Sequence, residues 1–297
     1  MPQNVIKLKG NTYYIDSAVN IGLISDDNGR TIIIDTGLDD DMGRRILKFM
    51  RDQNLTPSAI INTHSHADHC GGNNFIVKRT SIPVYATYFE KQLIECPLLE
   101  PFYLFSASPL KEMKNKFLMA KESNVNHIIE EGEIEIQGIP LKIIPLFGHS
   151  PGMIGVASYD NVLFVGDAFF SPYILDKHGL GYFTDIKNTL KSLEYLKNLK
   201  YDYFVPSHGD VLEDPMPTIE VNIKRINEIA EKILEFCSEP KSREEITAYM
   251  IDIYKVKLNI GQYYLTSSTI SAFLTYLTDE GMMTIEISEN NLKWKRI

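Results

Sequence analysis

The sequence predicts an α/β fold class, continued at its C-terminal end by a small α+β unit. Over residues 1–215, short apolar runs alternate with helical stripes, and most of the runs end in polar turns. Over residues 216–297, three helical patterns are followed by one hairpin. The 297 residues are 44% hydrophobic and 23% charged, the balance of an ordinary globular chain long enough to bury a large core.

Taken in order, the opening runs at 5–8, 12–16, 20–25 and 31–35 read as an antiparallel meander. The Asp27-Asn28-Gly29 turn between the last two tolerates positive φ and so favours a hairpin. Asp39, Asp40 and Asp41 supply an acidic first turn for a helix to about residue 53, with Ile46, Leu47, Phe49 and Met50 on its apolar stripe. Beyond Pro57, Ile60 and Ile61 form a buried strand that delivers Thr63-His64-Ser65-His66-Ala67-Asp68-His69 into the turn after it. A further strand is expected at 83–86. Residues 88–123, interrupted by Pro97, Pro101 and Pro109, form a helical insertion too long for a plain connection. It reads as a lid over a site or as a peripheral cap.

Strands resume at 133–136, 140–146, 153–158 and 162–165, with Phe147-Gly148-His149-Ser150-Pro151-Gly152 as a sharp turn and Gly166-Asp167-Ala168 closing the last. A loop over 169–183 leads into a helix over 184–199, striped by Ile186, Leu190, Leu193, Leu196 and Leu199. The run 202–206 then presents Ser207-His208-Gly209-Asp210. The tail's helices are expected at 218–238, 242–254 and 266–280, the middle one opened by a Ser242-to-Glu245 capping box, and its hairpin at 284–288 and 292–296. Three helices and a ribbon resemble a winged-helix module.

Collected from strand ends, His64, His66, Asp68, His69, His149, Asp167 and His208 form a candidate metal-binding set. Seven nitrogen and oxygen donors exceed what one tetrahedral ion needs, so two divalent ions are implied. Zinc is the first expectation, and iron or manganese fits the same donors. A lone histidine is read as structural, which covers His127 and His178. Cys70 is read as a small buried packing residue. Asp35 is either a carboxylate orienting a histidine from behind or a plain strand-end turn, and Gly71 and Gly72 fit close backbone approach beside the cluster.

These motifs, Thr-His-Ser-His-Ala-Asp-His at 63–69, Gly-His-Ser-Pro-Gly at 148–152, Gly-Asp-Ala at 166–168 and Ser-His-Gly at 207–209, resemble those of the metallo-β-lactamase superfamily. The resemblance implies a four-layer αβ/βα sandwich over residues 1–215 with a dinuclear site at one edge. It assigns His64, His66 and His149 to one metal, Asp68, His69 and His208 to the other, and Asp167 between them. The expected chemistry is hydrolysis by a hydroxide held between ions roughly 3.5–4 Å apart. His66 stands where the oxygen-reducing members have glutamate, and Gly-His-Ser-Pro-Gly is similar to the glyoxalase II and lactonase branches. The expected target is therefore an ester, thioester or lactone carbonyl, although the loop after Asp167 lacks a basic clamp for glutathione carboxylates.

Two other readings remain at the level of sequence: a metal-dependent phosphodiesterase or ribonuclease, and a regulatory winged-helix protein that senses a metal or ligand. A net charge of −9 disfavours electrostatic capture of nucleic acid. Residues 218–297 hold ten Lys and Arg against twelve Asp and Glu, and the stretch 266–278 contains no basic residue. That leaves packing or homodimerisation as the tail's role and a small molecule as the partner. The chain shows no long apolar run to span or anchor in a membrane and no signal-like segment at its start. Three scattered cysteines argue against a disulfide framework, and a cytoplasmic location is expected. Phe102, Tyr103, Phe105, Tyr173, His178 and Tyr182 are the candidate pocket residues.

Overall fold

The computed structural model describes residues 5–297. A first sheet runs β1 (Val5–Lys9), β2 (Thr12–Ile15), β3 (Ile21–Ser25), β4 (Arg30–Ile34), β5 (Thr56–Ile61), β6 (Val84–Ala86) and β7 (His127–Ile128), in that spatial order. Its first four strands are the expected antiparallel meander. From β4 onward the pairing is parallel, so each connection must cross over outside the sheet. The crossovers are α1 (Asp40–Asp52), the short α2 (Ala67–Cys70) with α3 (Asn73–Thr80), and the insertion, with α4 (Tyr88–Glu95), α5 (Leu99–Phe105) and a single 3₁₀ turn.

A second sheet contains β8 (Gly132–Ile136), β9 (Ile139–Pro145), β10 (Ile154–Ser158), β11 (Val162–Gly166) and β12 (Tyr203–Pro206), ordered β12-β11-β10-β9-β8. Between β11 and β12 lie α6 (Pro172–His178) and α7 (Ile186–Leu196). The tail adds α8 (Met216–Phe236), β13 (Lys241–Ser242), α9 (Arg243–Tyr254), α10 (Ile260–Asp279), β14 (Met283–Ser288) and β15 (Asn291–Arg296), the strands ordered β13-β15-β14.

Alternation along the strands creates the layers. Leu23, Ile33 and Ile60 face Ile46 and Met50 of α1 and Ile76 of α3. On the other face of the same strands, Ile24, Ile32, Ile34 and Ile61 meet Leu141, Ile143, Val156 and Phe164 of the second sheet. That sheet's far side, with Ala157, Leu163 and Phe204, packs under Ile186 and Leu193 of α7. Helix, sheet, sheet and helix stack in turn, the expected sandwich.

The tail shares that last core: Ile219, Ile226 and Ile233 of α8, Ile246 of α9 and Ile270 and Phe273 of α10 pack with the α7 residues. The Ser242–Glu245 capping box is formed. Elsewhere the elements depart from expectation. Residues 169–183 are not all loop, because Ser171 caps and Pro172 opens α6. Helix α10 starts at Ile260, six residues before the expected start, with the Asn259 side chain accepting from the Gln262 amide. The two-residue strands β7 and β13 carry too little pattern to be read from sequence.

Candidate metal centre

All seven predicted donors converge at one edge of the sandwich, past the ends of β5, β11 and β12 and in the β9–β10 turn. Residues 62–69 leave β5 and turn at once into α2, which places Asp68 and His69 side by side. Close approach of the chain makes that turn: a Cβ on Gly71 would lie 2.0 Å from the Leu38 carbonyl oxygen. The Cys70 Sγ donates to the Ser65 carbonyl at 3.1 Å, so this thiol is the buried packing group expected rather than a ligand.

Hydrogen bonds made behind the imidazoles decide which nitrogens face the centre. The His69 Nδ1 donates to Asp35 Oδ2 at 2.8 Å, His149 Nδ1 to the Tyr182 carbonyl at 2.9 Å and His208 Nδ1 to the Ala18 carbonyl at 2.8 Å. In each, Nε2 is the nitrogen turned inward, where the neutral ring would offer its lone pair to a cation. Asp35 sits at φ 62° at the end of β4, a left-handed conformation that aspartate accepts better than most residues. Its other contacts lock it there, since Oδ1 accepts from the Thr63 amide at 2.8 Å and Oδ2 from the Thr63 hydroxyl at 2.7 Å. Of the two sequence readings for Asp35, orientation of a histidine is the one the geometry supports.

A further clip lies in the insertion. Glu90 of α4 is fully buried, and its Oε2 accepts from the Ser65 amide at 2.8 Å while Oε1 accepts from the Ser150 hydroxyl at 2.5 Å and the Gly152 amide at 2.8 Å. One carboxylate thus ties the loop of His64 and His66 to the loop of His149.

The inner atoms make a set that protein donors alone leave unsatisfied. His66 Nδ1 lies 3.0 Å from both His64 Nε2 and His149 Nε2, three imidazole nitrogens within reach of one another. Beside them, His208 Nε2 is 3.4 Å from Asp68 Oδ2 and 3.5 Å from Asp167 Oδ2. Asp167 stands between the halves, 3.5 Å from His149 Nε2 and 3.6 Å from His69 Nε2. The buried His69 Nε2 and Asp167 Oδ1 have no hydrogen-bond partner. Buried polar atoms without partners are rare; these two lie 3.6 Å apart, and the donors fall into groups compact enough to hold cations: His64, His66 and His149; His64, His69 and Asp167; Asp68, His69 and His208. The residues fit divalent ions.

Electrostatics divide the cluster without metal. Burial, then the neighbouring His149, pushes His66 down to about 3, and burial with the surrounding imidazoles holds His64 far below its ordinary value. Burial also lowers His149, against the pull of Asp167. For His69 burial acts downward too, but Asp68, Asp167 and Asp35 outweigh it and hold the ring at about 10; His208, facing Asp167 and Asp68, is held at about 9. At pH 7 the metal-free protein therefore carries protons on His69 and His208 that bound cations must expel. Calorimetry of metal binding in buffers of different ionisation enthalpy is expected to show release of about two protons per chain at pH 7, and affinity rising with pH. The sign for stability is opposite. Raised folded-state values stabilise the metal-free protein fully below about 6.5, the unfolded value, and this contribution is lost as pH rises through about 9 to 10.

The donors open onto a cavity of about 290 Å³. His66, Asp68, His149, Asp167 and His208 form one wall, and two of the candidate pocket residues, His178 and Tyr182, also line it. The other predicted pocket residues do not. Phe105 turns inward against Tyr264, packing in a small core with Leu104, Met113 and Leu118. Phe102 and Tyr173 point to solvent, and Tyr103 stays outside the lining with its hydroxyl 3.4 Å from that of Tyr182. The lining missed by sequence includes Glu100, Phe117, Phe170 and, from α10, Gln262, Leu265, Thr266 and Thr269. His127 stacks on Tyr85 away from the centre, a structural role.

Fold and site together define a metal-dependent hydrolase. The metallo-beta-lactamase superfamily model matches residues 14–208, and the chain belongs to that superfamily. It is 25% identical over 230 residues to the beta-lactamase-like protein 2 homolog of Drosophila melanogaster, covering 76% of this chain and 70% of that protein. Over 153 residues it is 32% identical to the hydroxyacylglutathione hydrolase of Serratia proteamaculans, 51% of this chain and 47% of the relative. Among solved structures, a metallo-beta-lactamase family protein of Thermus thermophilus superposes with a TM-score of 0.73 at 19% identity, covering 94% of each chain. A beta-lactamase domain protein of Burkholderia ambifaria gives 0.75 at 17%, covering 99% of this chain and 95% of that one.

Substitution of Asp35 by asparagine tests the rear support of His69. One of its two carboxylate acceptors becomes a donor facing donors, and the expected loss is about 10–100-fold in metal affinity, measured by chelator competition.

Proposed function

We propose that the chain binds two divalent metal ions, zinc first among them, and hydrolyses an ester, thioester or lactone of a small molecule. In this reading His64, His66 and His149 hold one ion, Asp68, His69 and His208 the other, with Asp167 shared. When bound, such ions acidify water and polarise a carbonyl. The protein's own part is to fix the donors: the Asp35, Tyr182 and Ala18 acceptors hold three imidazoles in one tautomer, and Glu90 holds two ligand loops in register. Asp68, the more exposed of the two carboxylates, faces the cavity and is placed to meet the reacting water.

The observation that carries this reading is the shared wall. The same side chains that form the donor set face a cavity of about 290 Å³, sized for a small acyl compound. The hydroxyacylglutathione hydrolases among the relatives support an acyl bond as the target.

A nucleic-acid substrate is disfavoured by the tail. Its elements match a winged helix in number, but α10, which buries Ile270, Phe273, Leu274 and Leu277 in the core, carries no Lys or Arg with which to contact phosphate. No helix among the described residues is long and apolar enough to cross a membrane. Free Cys70, Cys96 and Cys237 support a reducing, cytoplasmic setting.

The test is metal analysis of the purified protein, followed by assay against thioesters, lactones, β-lactams, phosphodiesters and single-stranded RNA. Two ions per chain and turnover of an acyl substrate are expected. Cleavage of RNA alone would overturn the acyl reading in favour of the nuclease, and metal binding with no turnover of any substrate would favour the sensor.

A further inference from the structure

The cavity's far wall comes from the C-terminal tail. Gln262, Leu265, Thr266 and Thr269 of α10 face the donor set across the space, and the tail also holds the loop between them. The Thr269 hydroxyl accepts from the Phe183 amide at 3.3 Å and donates to the Gly181 carbonyl at 3.4 Å. It thus brackets Tyr182, whose carbonyl orients His149. From α8, Asn222 binds both backbone groups of Phe170, and Arg225 donates to the Leu175 and Gly179 carbonyls at the end of α6.

Charge is what this wall lacks. Among the described residues, no Lys or Arg lines the cavity. Lys116 and Lys121 of the insertion are engaged by Asp39 and Asp40 at the start of α1. Opposite the donors stands Glu100, 7% exposed, with no hydrogen bond or ion pair to another side chain among the described residues. Ionised, it would repel a carboxylate or phosphate; protonated, it could offer an anion one neutral hydrogen bond and no charge. Phe117, Leu118, Phe170, Leu180 and Leu265 supply apolar surface, interrupted by the uncharged polar groups of Tyr182, Gln262 and Thr269 and by His178. One polar atom is left waiting: the hydroxyl of Thr266, 2% exposed, has no hydrogen-bond partner.

Resting on the acyl-hydrolase reading, we infer that the substrate is an uncharged, mainly apolar acyl compound, selected by the α10 wall, with Thr266 taking one neutral polar group. Glutathione carries two carboxylates, and any that entered this space would face Glu100 with no Lys or Arg to pair with, a costly case in a largely apolar site. An N-acetylcysteamine thioester of the same acyl chain carries only an amide, which Thr266 can hydrogen-bond.

The experiment compares these two thioesters, each with a hexanoyl chain, on the metal-loaded enzyme. The neutral one is expected to have a kcat/KM higher by about ten-fold or more. Calorimetric binding of the corresponding S-hexyl thioethers, which cannot be hydrolysed, is expected to follow the same order. Gln262→Arg, which places a cation on the wall at a half-buried position, is expected to narrow that preference with metal content unchanged. Thr266→Val keeps the shape and removes the hydroxyl, and should raise KM several-fold for the N-acetylcysteamine thioester but not for S-ethyl thiohexanoate, which has no amide. Equal or faster hydrolysis of the glutathione thioester would overturn the inference while leaving the acyl-hydrolase reading intact. Hydrolysis of neither thioester, with a lactone or ester also untouched, would overturn that reading and the inference with it.

Discussion

Replacing His149 or Asp68 with alanine is expected to lower hydrolysis by at least about 10²–10³-fold, the scale on which removal of one charge-stabilising group acts. The two substitutions cut different parts of the centre. Without His149, the nitrogen trio it forms with His64 and His66 loses one member at 3.0 Å, and the Tyr182 carbonyl loses its donor. Without Asp68, His208 Nε2 keeps Asp167 as its one carboxylate neighbour among the described residues, and His69 loses one of its three. Metal content by mass spectrometry should fall in both, while the circular dichroism spectrum stays that of the wild type. Normal turnover by both variants would sink the proposed centre.

The donor set was legible because each member sits in a short motif directly after a strand. His64, His66, Asp68 and His69 fall within six consecutive positions, and Asp167 and His208 each follow an apolar run that reads as a buried strand. A strand end fixes position to within a residue or two, so chemistry and placement were read from the same few letters. The helices of the sandwich were legible for the same reason, since Ile46 and Met50 or Ile186 and Leu193 keep helical spacing on one buried face.

What stayed hidden depends on contacts between residues far apart in sequence. Glu90 reaches Ser65 across 25 positions and Gly152 across 62, and nothing beside it in the chain marks it as different from an exposed helix glutamate. Four of the candidate pocket residues lie off this cavity for a similar reason. Phe102 and Phe105 are aromatic and close in sequence, yet on the short helix α5 one faces solvent and the other a small core. Two signals were available and went unused: Ser171-Pro172 as the opening of α6 and Asn259 as the cap of α10. Reading the second would have brought Gln262 and Leu265 onto the same helix as Thr266 and Thr269.

Glu90→Gln is expected to loosen the metal centre without touching a single ligand. The wild-type carboxylate accepts three hydrogen bonds, from the Ser65 amide on one oxygen and from the Ser150 hydroxyl and Gly152 amide on the other. Glutamine offers only one oxygen, so whichever way the amide is turned, its NH₂ group confronts at least one buried N–H donor. An unsatisfied buried donor costs about 1–3 kcal/mol, and the pair here would be relieved by moving the loops apart. Separation of the His64–His66 loop from the His149 loop spoils the nitrogen trio, so metal affinity should drop by about 10–100-fold, as for other residues that orient ligands from behind. Chelator competition and thermal melting, with and without added zinc, measure the two effects separately. Excess zinc should restore most of the lost turnover in Glu90→Gln, because all seven donors are still present, whereas His149→Ala should stay inactive at any zinc concentration. Failure of zinc to rescue Glu90→Gln would show that the carboxylate does more than hold the two loops in register.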